Sequence, residues 1–192
     1  YACDNKYQDK VIEDKRILTN VLRDIDELAE KLRITLLGVG YLEDLSPKSL
    51  DYILSFGERF SVLILSGALN SAGFESVPLT GFEAGIITDS NFGSARPLFS
   101  KIKVTIKEKL DPLLKKEIIP IVTGFIAADS NAMITTMGRG GSDYTASLIG
   151  RYLNAEEVQI WTDVDGILTT DPKIVSSARL ISKISYIEAM DL

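Results

Sequence analysis

The sequence predicts an α/β fold, a three-layer αβα sandwich around a mainly parallel sheet. Three observations carry this expectation. IIPIVTGF (118–125) and EVQIWT (157–162) are short, apolar and β-rich, the pattern of strands covered on both faces. Between them, TTMGRGGSDYTASLIG (135–150) sets three glycines before a segment of helical character, giving a β–loop–helix–β order. The N-terminal third shows the three-and-four spacing of amphipathic helices rather than strand alternation.

Taken in order, residues 11–33 place Ile17, Val21, Leu22, Ile25, Leu28 and Leu32 on one helical stripe. Glu27 and Lys31 add an i,i+4 pair on its wet side. LSPKSLDYILSF (45–56) opens a second helix, with Ser46 as cap and Pro47 at the first helical position. SFGERFSVLILSGALNSAGF (55–74) has a strand-like VLIL centre, yet Phe56, Phe60, Leu63, Ile64 and Ala68 keep helical spacing. NSAG supplies a glycine just past its end, so the segment reads as a buried helix. SVPL (76–79) and GIIT (85–88) read as short strands. KIKVTIKEKLDPLLKKE (101–117) begins with strand-like alternation and continues as a charged helix. No repeat, low-complexity linker or domain boundary interrupts the series.

Composition removes several chemistries. The 192 residues contain no histidine and one cysteine, Cys3. A Ser-His-Asp triad, a histidine-held zinc and an internal disulfide are therefore excluded within this sequence. A net charge of −6 makes nonspecific nucleic-acid binding an unsuitable main role. The longest apolar run, IIPIVTGFIAA (118–128), is broken by proline and glycine and falls short of a membrane span. Nothing resembles a signal peptide, and a lone thiol suits a reducing compartment, so a cytoplasmic location is expected. The first residue is Tyr1, and a piece of a longer chain is expected.

The glycines of GRGGSD pose the functional question. Glycines let backbone amides approach a ligand, and a helix start favours negative charge. The bland alternative is a tight turn capped by Ser142, with Asp143 complementing the helix dipole. Arg139 tips the balance, because a guanidinium can grip a carboxylate or phosphate with two bonds. In open α/β sheets such loops sit at the carboxyl edge of the strands, the expected place for residues 138–143. A second stretch, WTDVDGILTTDPK (161–173), combines threonine, three aspartates and lysine after a strand; turn chemistry alone would explain each residue singly. Glu58 in SFGERFS would by itself be a favourable first-turn charge.

Together these stretches resemble the aspartokinases of the amino-acid kinase family. SFGERFS is similar to that group's SFGERLS, TMGRGGSDYTA to its TxGRGGSDYTA, and WTDVDGILTTDPK to its WTDVDGxxTxDPR. ITDSNFGSARP (87–97) and IIPIVTGFIA (118–127) match in order and spacing. The resemblance runs from about Ser46 onward. It implies transfer of the γ-phosphoryl group of ATP, carried with Mg2+, to the side-chain carboxylate of L-aspartate, giving 4-phospho-L-aspartate for lysine, threonine and methionine synthesis. On this resemblance Arg139 holds the substrate α-carboxylate and Glu58 its α-ammonium. Asp143 is the active-site carboxylate, and Gly140, Gly141 and Ser142 line the pocket. Thr162, Asp163, Leu168 and Lys173 fall on the nucleotide side. Lys173 replaces the group's arginine, keeping charge but losing the fork, and Leu168 stands where some members carry tyrosine.

One departure concerns the group's opening KFGGTS, whose lysine and glycines serve the transferring phosphate; no such segment occurs in this sequence. With its end at IEAMDL, the chain is expected to be the central part of a catalytic domain. The lysine loop and the regulatory ACT domains would lie outside it, and the chain alone is expected to be inactive. The full-length protein is expected to be a homo-oligomer. Two other readings stay open at this point: a non-catalytic ligand-binding homologue, and a sibling kinase acting on glutamate or N-acetylglutamate.

Overall fold

The computed structural model describes residues 11–162 and 166–190, in two compact units that meet at Val158 and Gln159. The first unit opens with α1 (Lys15–Leu42), capped by Asp14, whose carboxylate accepts from the Arg16 and Ile17 amides. The helix runs well past the predicted end at residue 33. Its ion pairs are Arg23–Asp24 at 3.2 Å and Glu30–Arg33 at 2.7 Å, and Glu27 and Lys31 form none.

The two helices expected over 45–56 and 55–74 are a single helix, α2 (Pro47–Ser71). Ser46 caps it through the Ser49 amide, and Gly73 follows its end at φ +88°. Gly57, read as a helix start, lies mid-helix in open space. The pitch simply continues through it: Asp51, Ser55, Val62 and Ser66 are all buried. Contrary to the reading of the apolar runs, α2 is long and apolar enough to cross a membrane by length and composition. Its middle carries Glu58 and Arg59, and it packs on α1 and on strands of the sheets, with Leu50, Leu54 and Leu65 exposed.

Two small sheets form the middle layer. In the first, β1 (Ser76–Leu79) runs parallel to β3 (Ile119–Val122), with Ser76 opposite Ile119. In the second, β2 (Ile87–Thr88) is parallel to β4 (Ile126–Asp129), and β4 is antiparallel to β5 (Ile134–Thr136). The β4–β5 hairpin is absent from the sequence reading, because its strands are only four and three residues long and rich in alanine and threonine. The strand buried along its whole length is β4; β3, expected to be covered on both faces, begins with exposed Ile119.

Strand alternation assigns the faces. Ala127 of β4 and Met137 point into a cluster with Ile102, Ile106 and Leu110 of α3 (Phe99–Leu114). Ile149 and Leu153 of α4 (Gly141–Leu153) pack against the same cluster. Thr136, one position before Met137, meets Asp51 of α2 instead. Thus α3 and α4 cover one face, and α2, backed by α1, covers the other. The strand-like start expected for α3 is helical throughout: Ile102, Ile106 and Leu110 recur every four residues, while Val104 is exposed.

The second unit holds an isolated antiparallel bridge between Leu168 and Leu180 and a short helix, α5 (Tyr186–Met190). EVQIWT forms no strand: Ile160 is exposed and Trp161 is 89% exposed. Its apolar residues lack the facing surface that would make a buried strand favourable.

Candidate substrate site

Each glycine of the GRGG loop has its own reason. Gly138 and Gly140 both adopt φ +73°, the left-handed region where a Cβ would crowd the following carbonyl. Gly141 serves close approach: a Cβ there would sit 3.1 Å from the Phe125 Cα. Beside it, a Cβ on Gly124 would fall 2.7 Å from the Ser142 Cα. The turn after β3 and the start of α4 are therefore locked backbone against backbone. This puts the loop at the carboxyl end of β3, as expected. The strand leading into it, however, is β5, which runs antiparallel to β4, so the loop also lies at the amino end of β4.

Ser142 does not cap α4. Gly140 occupies the N-cap position and no side chain bonds the first-turn amides. The αL geometry at Gly140 places the helix start two residues earlier than the sequence suggests. The consequence is chemical, since uncapped amides at a helix start are donors with a positive dipole end.

These elements surround one cavity of about 470 Å³. Glu58 of α2 lines it together with Arg139, Gly140, Gly141, Ser142 and Asp143. Six residues predicted from two separated stretches thus converge. Arg139 and Asp143 are exposed, and among the described residues neither they nor Glu58 enters an ion pair. Burial pushes the Glu58 carboxyl above its ordinary value. A guanidinium, a half-buried carboxylate and free-standing amides can together hold a zwitterion. The arrangement matches a small α-amino acid in sign at both ends.

The cavity has a support that sequence reasoning missed. Asp51 is fully buried at its inner side. Its Oδ2 accepts from the amides of Gly93 and Thr136, both at 2.9 Å, and its Oδ1 accepts from the Thr136 hydroxyl at 2.8 Å. In turn the Thr136 carbonyl accepts from the Ala95 amide at 2.8 Å. The only signal in the sequence was spacing: Asp51 precedes Glu58 by two helical turns.

Thr162, Leu168 and Lys173, expected on the nucleotide side, belong to the second unit. Thr162 is exposed, and Leu168 forms the bridge to Leu180. The Lys173 amide donates to Asp171 Oδ1 at 2.8 Å, across the Asp171-Pro172 turn. Asp163 lies outside the described residues.

Residues 5–192 match the sequence profile of the amino acid kinase family. This chain belongs to that family. It is 38% identical over 169 residues to aspartokinase 3, chloroplastic, of Arabidopsis thaliana, covering 88% of this chain and 30% of that protein. It is 42% identical over 145 residues to the aspartokinase of Bacillus sp. strain MGA3, covering 76% of this chain and 34% of that protein. Among solved structures, E. coli aspartokinase III in complex with aspartate and ADP (R-state) superposes with a TM-score of 0.87 at 32% identity. That match covers 97% of this chain and 41% of the other. The T-state of the same enzyme, with lysine and aspartate, gives 0.80 over 92% of this chain and 39% of the other. This family member thus spans about a third of the length of the relatives it matches.

Proposed function

We propose that this chain is the aspartate-binding part of the catalytic domain of an aspartate kinase. The observation that carries the reading is the convergence of Glu58, Arg139 and Asp143 on one cavity beside an uncapped helix start. The aspartokinase relatives support the choice of amino acid, and the relative solved with aspartate and ADP supports the choice of co-substrate.

Arg139 grips the α-carboxylate through two parallel bonds, and Glu58 takes the α-ammonium. With both ends of the α-carbon fixed, the side-chain carboxylate points away from the clamp. It attacks the γ-phosphorus of MgATP; the new O–P bond forms as the bond to the β,γ-bridging oxygen breaks, and ADP leaves. The nucleophile is already ionised, so no general base is required and the absence of histidine is no obstacle. Catalysis rests on positioning and on neutralising phosphoryl charge. Asp143 orients the cationic groups that meet the phosphates, and Thr162, Asp163, Leu168 and Lys173 serve the nucleotide. The magnesium arrives as part of the substrate. The lysine and glycines that hold the transferring phosphate are supplied from outside this chain, as are the regulatory domains.

The test is ADP release by the full-length polypeptide, followed with L-aspartate, L-glutamate and N-acetyl-L-glutamate as acceptors. Aspartate-dependent turnover alone supports the reading. Turnover with either other acceptor alone, or none, rejects it.

A further inference from the structure

The two halves of the proposed clamp come from distant parts of the chain. Glu58 rides on α2, whereas Arg139 and Asp143 belong to the loop after β5 and the start of α4. Something must hold the helix and the loop in register. The side-chain hydrogen bonds joining α2 to β5 all run to Asp51: the Thr136 amide at 2.9 Å and the Thr136 hydroxyl at 2.8 Å. A third, from the Gly93 amide at 2.9 Å, adds the turn that lies against Gly138. Thr136 is two residues from Gly138, and Asp51 is seven residues from Glu58 on the same helix, two turns along one face.

A carboxylate with no exposed surface is costly unless its lone pairs are filled. Here they are filled by two amides and a hydroxyl, and among the described residues no cation pairs with it. Such a group sits in a place that only its partners make favourable, so it fixes their positions sharply. We infer that Asp51 is a positioning residue that sets the spacing between Glu58 and Arg139, and so the affinity for the amino-acid substrate. The inference rests on the aspartate kinase reading.

Hydrogen-bond chemistry separates positioning from direct contact. Asparagine at position 51 keeps both amide bonds through its oxygen. Its NH2 group can donate to the Thr136 hydroxyl, which reverses from donor to acceptor. Asp51→Asn therefore preserves the junction while deleting the charge. Asp51→Ala leaves the buried amide and hydroxyl of Thr136 without their acceptor, together with the Gly93 amide.

The experiment measures KM for aspartate and for ATP, kcat and thermal melting in the full-length protein. Wild-type turnover is established first, so a failure of the functional reading shows itself before any variant is made. Asp51→Ala is expected to raise the aspartate KM roughly ten- to a hundredfold, with the ATP KM within about twofold. Asp51→Asn is expected to stay within roughly threefold of wild type for both substrates. Should Asp51→Ala fail to fold, Thr136→Val carries the same test: it removes one donor, and its effect should again fall on the aspartate KM. If Asp51→Asn loses as much aspartate affinity as Asp51→Ala or Thr136→Val, the charge itself meets substrate and positioning is overturned. Equal rises in both KM values, or melting changes with unaltered kinetics, overturn it as well.

Discussion

Around Gly138–Asp143 the chain is pinned from three directions, whereas from Gln159 onward no described residue is buried. The Asp51 junction holds the loop from the α2 side, Phe125 and Gly124 hold it from the β3 turn, and Met137 ties it into the core. The second unit is organised by local contacts instead. The Thr169 amide meets the Arg179 carbonyl at 2.9 Å, and the Ile181 amide meets Ile167 at 2.8 Å. A clamp for a small zwitterion has to be rigid, since a misplaced pair of charges loses most of its discrimination. A nucleotide offers a larger surface and many phosphate oxygens, so its contacts tolerate looser scaffolding. Under the proposed function the contrast makes a sharp demand: damage in the cavity must be read in aspartate parameters, and damage in the second unit in ATP parameters.

The strongest way to break that division is Asp143→Asn in the full-length protein. The change is isosteric, so kcat should fall about a hundredfold or more while melting barely moves. Early melting with normal turnover would return Asp143 to a helix-dipole role. Arg139→Ala comes next: the aspartate KM should rise roughly ten- to a hundredfold, because a charge-assisted pair is lost. An equal rise in the ATP KM would erase the contrast between the regions. Lys173→Ala should raise the ATP KM only about two- to fivefold, as fits an exposed charge, and spare aspartate.

Two pH effects of opposite sign sharpen the picture further. Burial raises the Glu58 value in the folded protein, so its charged form is penalised as pH rises from the ordinary carboxylate range through the raised value. Glu58→Gln should therefore melt slightly higher than wild type at neutral pH, converge with it in acid, and bind aspartate more weakly. Asp129 behaves the other way. The Ser90 hydroxyl, with the Met133 and Asn131 amides, holds its carboxyl below the ordinary value. Its contribution is complete above the unfolded value and is lost as pH falls through the folded one. Asp129→Asn should accordingly flatten the acid limb of the melting profile and leave the neutral aspartate KM unchanged. Melting curves between neutral and acid pH check both.

The GRGGSD loop and SFGE were legible because their chemistry is local: glycine φ angles, a helix start, a charge of each sign. Their convergence was legible only through resemblance, since nothing in the spacing of Glu58 and Arg139 says that they meet. Asp51 was silent for the same reason, as an aspartate near a helix start has a sufficient explanation in the dipole. The β4–β5 hairpin escaped because Ile126–Asp129 and Ile134–Thr136 are too short for a periodic signal. EVQIWT misled in the opposite sense. Its composition favours a strand, but a strand needs a partner edge, and Trp161 remains exposed.

The contact between Gly124 and Ser142 bears on how this pocket can change over generations. A side chain can be exchanged by a single codon, but a wall made of touching main chain offers no atoms for selection to trim. Enlarging the cavity from the Phe125–Gly141 side would demand moving a strand end and a helix start together. The rim is different: Leu50 and Leu54 are both substantially exposed and open to substitution at little cost in stability. Divergence toward a longer amino acid is thus channelled to the α2 rim, while the glycine side stays invariant in shape.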